Sequence, residues 1–397
     1  MEKIFSVSSV PSVAVLEEME PLGLGLIGYG GFGRFCLDVY AAMPDLRVVA
    51  VADVDAARRQ EAAERYGAIP FADAADLLAA PDVDVVAICT PPHTHAPLSL
   101  AAARAGKHIF CEKPLALSLE EADAAIAAAE RHRVRLTVDY VLRHNPLNRR
   151  LHALLRSGVL GPLLHMSLEN QATDEHLKPD HWFWDPARSG GIWVEHGVHF
   201  FDLFGWLSGQ RAQAVAALAR TRPDGCRDRV WAIVRYSGGL VATYQHAFTQ
   251  PARFERTTVR LACARGYATL HGWIPIRLVV DALLDDQGME ALHRWAGVEP
   301  EIVERYAGAA TEGWALGAPY RATVRAHVEL TLPEGKQAVY RASVRAGMED
   351  LIAAIRDPQH RPEVTAADGR NSLAVALAAT RAAEMGVWES IDFRSLH

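Results

Sequence analysis

The sequence predicts an α/β protein in two parts. A doubly wound parallel sheet comes first, and an α+β domain with a large, mainly antiparallel open sheet follows. Three observations predict this. Short apolar runs alternate with helix-patterned stretches through the first part of the chain. A glycine-rich turn joins the first run to the first helix. Later segments are rich in Val, Thr and aromatic residues and lie close together, separated by turn residues.

The elements follow in order. Leu22–Ile27 is an apolar run that ends in glycines. Residues 32–43 are helix-patterned, and Pro44 stops them. Leu46–Ala52 is the second apolar run and leads to Asp53. Asp55 is placed to cap a helix over Ala56–Tyr66, with Gly67 as its breaker. Residues 84–89 form a third buried-strand pattern, closed by Thr90-Pro91-Pro92. A helix over 95–105 and a strand over His108–Cys111 come next. Ser118 and Glu121 fit a capping box for a helix that runs to His132. A last strand covers 135–140. Strands that are apolar throughout and each followed by a helix are buried on both faces, the condition for a parallel sheet.

The second part reads differently. Segments 230–236, 240–248 and 257–261 have strand composition, and Ser237-Gly238-Gly239 supplies hairpin chemistry between the first two. Residues 285–317 mix helical pattern with breakers. The expected division is an N-terminal extension over 1–20, a nucleotide-binding domain over 21–143 and an α+β substrate and oligomerisation domain over 144–397.

Composition excludes several classes. The chain has 397 residues, half of them hydrophobic, enough for two cores without disulfide staples. A formal net charge of -7 with dispersed charges argues against nucleic acid as a partner, since phosphate neutralisation needs a basic face. No apolar run reaches membrane-spanning length, and the start of the chain lacks the pattern of a signal peptide. The five cysteines are scattered, which argues against a disulfide framework or zinc knuckle and for a cytoplasmic protein without a metal.

Two GxGxxG matches overlap, over 23–28 and 28–33. The first would start a helix inside a run of glycines, so the second is the productive register. Gly28 then makes the tight turn, Gly30 lets the backbone approach a pyrophosphate, and Gly33 lets helix and strand pack closely. Tyr29, Gly31 and Phe32 complete the loop. Asp53 stands where this fingerprint places the acid that binds ribose hydroxyls and repels a 2′-phosphate, so NAD is favoured over NADP. These features make the first sheet a Rossmann domain.

Two further clusters carry chemistry. Glu112-Lys113-Pro114 follows a strand end that faces the cofactor crevice, and Pro114 restricts the Lys113 backbone to extended angles. Glu195 and His199 are spaced i and i+4, with Asp202 three residues on. On one helix face such a row sets the tautomer and basicity of the central imidazole, while His196 points off that face. A half-buried helix whose polar side chains merely pair with each other has the same pattern.

Taken in order, Gly28 to Gly33, Asp53, Thr90-Pro91 with His95, Glu112-Lys113-Pro114 and Gly190-Gly191 through Gly197-Val198-His199 to Asp202 resemble the Gfo/Idh/MocA oxidoreductases. The segment after 342, with Asp368-Gly369, is also similar. The resemblance implies an NAD-dependent dehydrogenase of sugars or cyclitols and a homodimer or homotetramer assembled through the open sheet. It implies cofactor contacts from Thr90, Pro91, His95, Glu112 and Lys113. It makes Lys113 the active-site lysine and His199 the proton-transferring histidine, with Glu195 where relatives carry aspartate. Tyr140, Arg143 and Trp182 are further candidate substrate contacts. In the expected mechanism Glu195 orients and polarises His199 and Lys113 stabilises the alkoxide. Two rival activities use the same residues: a redox-cycling glycosidase or lyase with bound NAD, and an NAD-binding sensor.

Overall fold

The computed structural model describes residues 20–393. The N-terminal extension anticipated over 1–20 lies outside them except for Glu20. No helix among the described residues is long and apolar enough to cross a membrane.

The first sheet has six parallel strands. They are β1 (Leu22–Ile27), β2 (Leu46–Ala52), β3 (Ile69–Phe71), β4 (Val85–Ile88), β5 (His108–Cys111) and β6 (Leu136–Val138). Their spatial order is β3-β2-β1-β4-β5-β6, the doubly wound arrangement whose ligand crevice opens where the order reverses, between β1 and β4. Helices α1 (Gly31–Tyr40), α2 (Ala56–Tyr66), α3 (Ala74–Ala79), α4 (His95–Arg104) and α5 (Leu119–His132) connect them. The short β3 and α3 are additions to the sequence reading. Asp55 caps α2 by accepting from the Ala57 and Arg58 amides, and Gly67 ends it in the left-handed region, as anticipated. The capping box at α5 is half formed. Ser118 accepts from the Glu121 amide, but the Glu121 carboxylate accepts from Leu117 N instead of the cap residue.

The two glycine registers separate cleanly. Gly23 and Gly25 lie within β1, where a Cβ would meet Asp82 O at 1.8 Å and Leu77 Cδ2 at 2.8 Å. They are glycines because the chain before β4 and α3 press on the strand. Gly28 to Gly33 form the turn into α1.

The second sheet has ten strands. In chain order they are β7 (Leu163–Thr173), β8 (Ala212–Thr221), β9 (Arg227–Tyr236), β10 (Val241–Gln250), β11 (Arg256–Cys263), β12 (Gly266–His271), β13 (Arg277–Leu284), β14 (Glu301–Arg305), β17 (Val324–Thr331) and β18 (Glu389–Ser390). A separate hairpin pairs β15 (Glu312–Ala315) with β16 (Ala318–Arg321). The large sheet is antiparallel except for the central β7–β10 pair. Several of its strands alternate buried and less buried residues. In β9, Asp228, Val230, Ala232, Val234 and Tyr236 are buried while their neighbours are not.

Helices α6 (Pro146–Ser157), α7 (Pro186–Ser189), α8 (Val198–Ser208), α9 (Asp286–Ala296), α10 (Gly335–Arg356) and α11 (Ala366–Met385) complete the chain. The last two return to the first sheet. Arg135 Nε donates to Ala354 O at 2.9 Å, and Thr137 Oγ1 donates to Val364 O at 2.6 Å. Gly369 of α11 lies so close to β6 that a Cβ there would meet Val138 Cγ2 at 2.8 Å. The C-terminal helices thus fix the edge of the parallel sheet against the second half of the chain.

Gly23→Ala tests the packing of β1. The new Cβ must displace a backbone carbonyl, so a loss at or above the ~1–3 kcal/mol typical of overpacking is expected in urea unfolding. An unchanged midpoint would show that the chain before β4 moves freely.

Candidate active site

The site gathers at the carboxyl edge of the parallel sheet. Gly28 has φ +95°, and a Cβ there would meet Cys89 O at 2.5 Å and Thr90 Cγ2 at 2.9 Å. A Cβ at Gly33 would meet Gly28 O at 2.0 Å. Both positions therefore require glycine. Over Gly31 there is open space, and over Gly30 the nearest atom is an Arg58 guanidinium nitrogen at 3.9 Å. No side chain caps the N-terminus of α1 and no acid lies in its first turn, so its end carries free amides and an uncompensated dipole. Tyr29 is fully buried, and Phe32 packs on Phe35 and Tyr340.

Asp53 ends β2 as expected, but its carboxylate already braces the loop. Oδ2 accepts from Tyr29 N at 2.7 Å and Oδ1 from Asp55 N at 2.8 Å. Each oxygen keeps a further lone pair for another donor.

Thr90 abuts the glycine turn, and Pro91 leads into the short helix after β4. His95 departs from the expectation of a cofactor contact. It is buried, and its two ring nitrogens lie 2.6 Å from Pro114 O and 2.7 Å from Thr90 O. It ties the loop after β4 to the loop after β5, and burial pulls its pKa down to about 4.

Glu112 departs likewise. Its carboxyl is buried against Asp139 at the end of β6, and one oxygen of each has no donor. Burial and the neighbouring acid raise Glu112 well above the carboxylate range, while Asp139 rises to about 6. Two acids in contact share one proton, which supplies the missing donor. Cys36 and Cys89 offer sulfur within 4.8 Å of Glu112, and burial raises the Cys36 thiol as well.

Lys113 is the centre of the constellation. Its Nζ donates to Glu195 Oε1 at 2.7 Å and to Glu195 O at 2.9 Å, leaving one ammonium N–H for a ligand oxygen. Both side chains are largely buried, with 15% and 13% exposure.

The row Glu195–His199–Asp202 does not form as anticipated. Residues Trp193–Gly197 make a π-helical turn before α8 begins, and the wider turn shifts the phase of Glu195 relative to an α-helical count. Its carboxylate goes to Lys113 instead. Asp202 is taken by Arg143, whose Nε and Nη2 donate to it at 2.8 Å and 2.5 Å. The expectation that Glu195 orients His199 is corrected accordingly.

His199 is held by rings. Tyr140 lies edge-on at 6.0 Å, Trp273 at 4.7 Å and His196 at 5.8 Å. Its Nδ1 is buried without a partner, so Nε2 is the nitrogen available for proton exchange. Burial, then Lys113 and the neighbouring histidines, hold its pKa well below the usual value, so the ring is neutral near pH 7. His196 does not point away. It stands between His199, Trp273 and His246, with its pKa lowered to about 3 by burial and Lys113.

Three candidate substrate contacts have other partners. Tyr140 is fully buried and its hydroxyl bonds Ser372 behind His199. Arg143 is spent on Asp202, Asp368 and Glu363 O, and lines a separate cavity of 330 Å3. Trp182 contacts only His181 and Phe183 among ring systems of the described residues. Conversely, nothing in the motif pattern flagged Trp273, a single indole in the turn between β12 and β13.

Comparison with known proteins matches this geometry to described families. Residues 22–140 match the oxidoreductase family with an NAD-binding Rossmann fold, Gfo/Idh/MocA, and residues 148–269 match the C-terminal domain of the same family. An inositol 2-dehydrogenase of Rhizobium meliloti (strain 1021) is 32% identical over 55% of this chain and 66% of its own length. The rhizopine catabolism protein MocA of Rhizobium meliloti is 36% identical over 47% and 57%. Levoglucosan dehydrogenase of Pseudarthrobacter phenanthrenivorans is 32% identical over 52% and 56%. The chain therefore spans less than two thirds of the length of these relatives. A solved levoglucosan dehydrogenase complex with NADH and L-sorbose superposes with TM-score 0.76 over 94% of this chain and 100% of that one, at 23% identity.

Arg143→Met tests the support behind the site. Asp202 and Asp368 lose their cation, and breaking such a buried pair costs about 3–5 kcal/mol. Burial already lifts the Asp202 carboxyl to about 6, so it can take up a proton when unpaired and the loss should fall at the low end. Thermal unfolding of the variant measures it; an effect under ~1 kcal/mol would show that the pair contributes no more than a surface one.

Proposed function

The chain belongs to the Gfo/Idh/MocA oxidoreductases, and from that membership we propose that it transfers a hydride between NAD and a secondary alcohol carbon of a sugar, cyclitol or related polyol. The observation that carries this reading is the Lys113 ammonium, held by Glu195 beside a neutral His199 in front of the glycine turn.

The residues present fit a dinucleotide. The open space over Gly30 and Gly31 admits a pyrophosphate to the free amides of α1. The spare lone pairs of Asp53 suit ribose hydroxyls and disfavour a 2′-phosphate, so NAD is the assigned cofactor rather than NADP. Thr90 and Pro91 border the same crevice. When bound, the nicotinamide supplies the two-electron acceptor.

The protein's own groups do the rest. The free N–H of Lys113 binds the substrate oxygen and stabilises negative charge that develops there. Nε2 of His199 takes the hydroxyl proton, and the aromatic packing around that ring fixes its position. Glu195 acts through Lys113, holding the ammonium by two contacts. In ketone reduction the same groups work in reverse: Lys113 stabilises the alkoxide formed as hydride reaches the carbonyl carbon, and protonated His199 returns the proton to give the alcohol. A homodimer or homotetramer through the open sheet accords with Leu218, Ile233 and Val241, apolar and exposed on neighbouring strands. A cytoplasmic setting accords with five free cysteines.

The test is NADH formation by purified protein with NAD⁺ against a panel of inositols, aldoses and acyclic polyols. Multiple turnovers are expected, with Lys113→Ala and His199→Ala each losing ~10²-fold or more in kcat. Because the pKa of His199 is lowered, its basic form persists below pH 6.5. Oxidation should therefore show no acid limb near that value that His199→Gln removes. Such a limb would contradict the lowered pKa of His199, and retained nucleotide without NADH release would overturn the reading.

A further inference from the structure

Trp273 has no contact with substrate in the assignments above, yet its ring is the nearest aromatic contact of His199, at 4.7 Å and 70°. It also lies 5.0 Å from His196 at 43° and 5.7 Å from Phe200. The indole is only partly buried. Its N–H donates to no acceptor among the described residues. Three other tryptophans do donate: Trp184 to Leu177 O, Trp206 to Glu363 Oε1 and Trp295 to Arg150 O. Trp193, by contrast, has a sealed and unpartnered N–H. Trp273 thus offers a partly exposed indole with an unspent donor beside the His199 ring.

The turn that carries it is pinned on both sides. Gly272 has φ +98° and its amide donates to Thr257 O at 2.8 Å. Ile274 is buried, and Pro275 O accepts from Asn145 Nδ2 at 3.0 Å. The indole is therefore placed before any ligand arrives, which lowers the entropic cost of using it. His196 extends the same surface. It is flanked by Trp273 on one side and by His246 and Phe248 on others, so it cannot turn away.

A pyranose or cyclitol has a face of C–H groups and a rim of hydroxyls. Lys113 and His199 serve the rim at the reacting carbon. An aromatic wall beside them serves the C–H face, and an N–H at its edge serves a further hydroxyl. An open-chain polyol has no such flat face and would have to be ordered over several free torsions.

We infer that Trp273, extended by His196, is a ring-stacking wall that makes the site selective for cyclic polyols and pyranoses over acyclic polyols. The inference rests on the dehydrogenase reading above.

The experiment compares kcat/KM for an inositol and an aldopyranose with that for sorbitol, in the wild type, Trp273→Ala and Trp273→Phe. The NAD⁺ dissociation constant of each variant serves as the folding check. Loss of the indole should reduce the ring-to-chain ratio of kcat/KM by about tenfold, chiefly through KM, and phenylalanine should restore most of it. Because Trp273 packs on His199, an equal fall in kcat on all substrates is compatible with the ratio changing; the ratio is the readout. An unchanged ratio in Trp273→Ala would overturn the inference and leave the dehydrogenase standing. So would a wild type that prefers sorbitol. A wild type that binds NAD⁺ and oxidises none of these compounds would overturn both.

Discussion

Everything at the site depends on one buried ion pair between parts of the chain 82 residues apart: Lys113 at the end of the parallel sheet and Glu195 in the π-helical turn before α8. Removing these charges from water is costly, and the contact is sustained because the ammonium also finds the Glu195 carbonyl at 2.9 Å. The pair fixes the distance between the nucleotide crevice and the second domain. Lys113, after burial, also helps to depress the pKa of His199.

The supports behind this pair are of a different kind. His95 bridges the loops after β4 and β5 through carbonyls. Arg143 locks α8 to α11 through Asp202 and Asp368. Tyr140 backs His199 with its hydroxyl turned away to Ser372. These residues resemble ligands in sequence because they are polar and adjacent to motifs. Their partners fit a scaffold behind the proposed reacting groups.

The parallel sheet was legible because its strands are apolar throughout and its helices carry local punctuation, such as Asp55 and Gly67 around α2. The glycine loop was legible because backbone approach admits no Cβ, a constraint written directly into residue identity at Gly28 and Gly33. Lys113 was legible from its place at a strand end. The partnership of Glu195 was not. A π-turn changes the angular spacing of side chains without a distinctive composition, so counting by α-helical rules assigned the carboxylate to His199 and sent His196 outward. Trp273 was hidden for another reason. Its role arises from a contact across the fold between a hairpin turn and α8, and no local pattern encodes such a contact. Short β3 and α3 were missed because three and six residues give too little periodicity.

The central claim is that Lys113 and Glu195 act as one unit on substrate oxygen. A double-mutant cycle with Lys113→Met and Glu195→Gln, read as kcat/KM for NAD⁺-dependent alcohol oxidation, tests it most directly. The account predicts strong non-additivity, with the double variant losing little more than Lys113→Met alone. Losses that simply add on the free-energy scale would contradict it, because they would mean that the glutamate and the lysine serve the reaction separately.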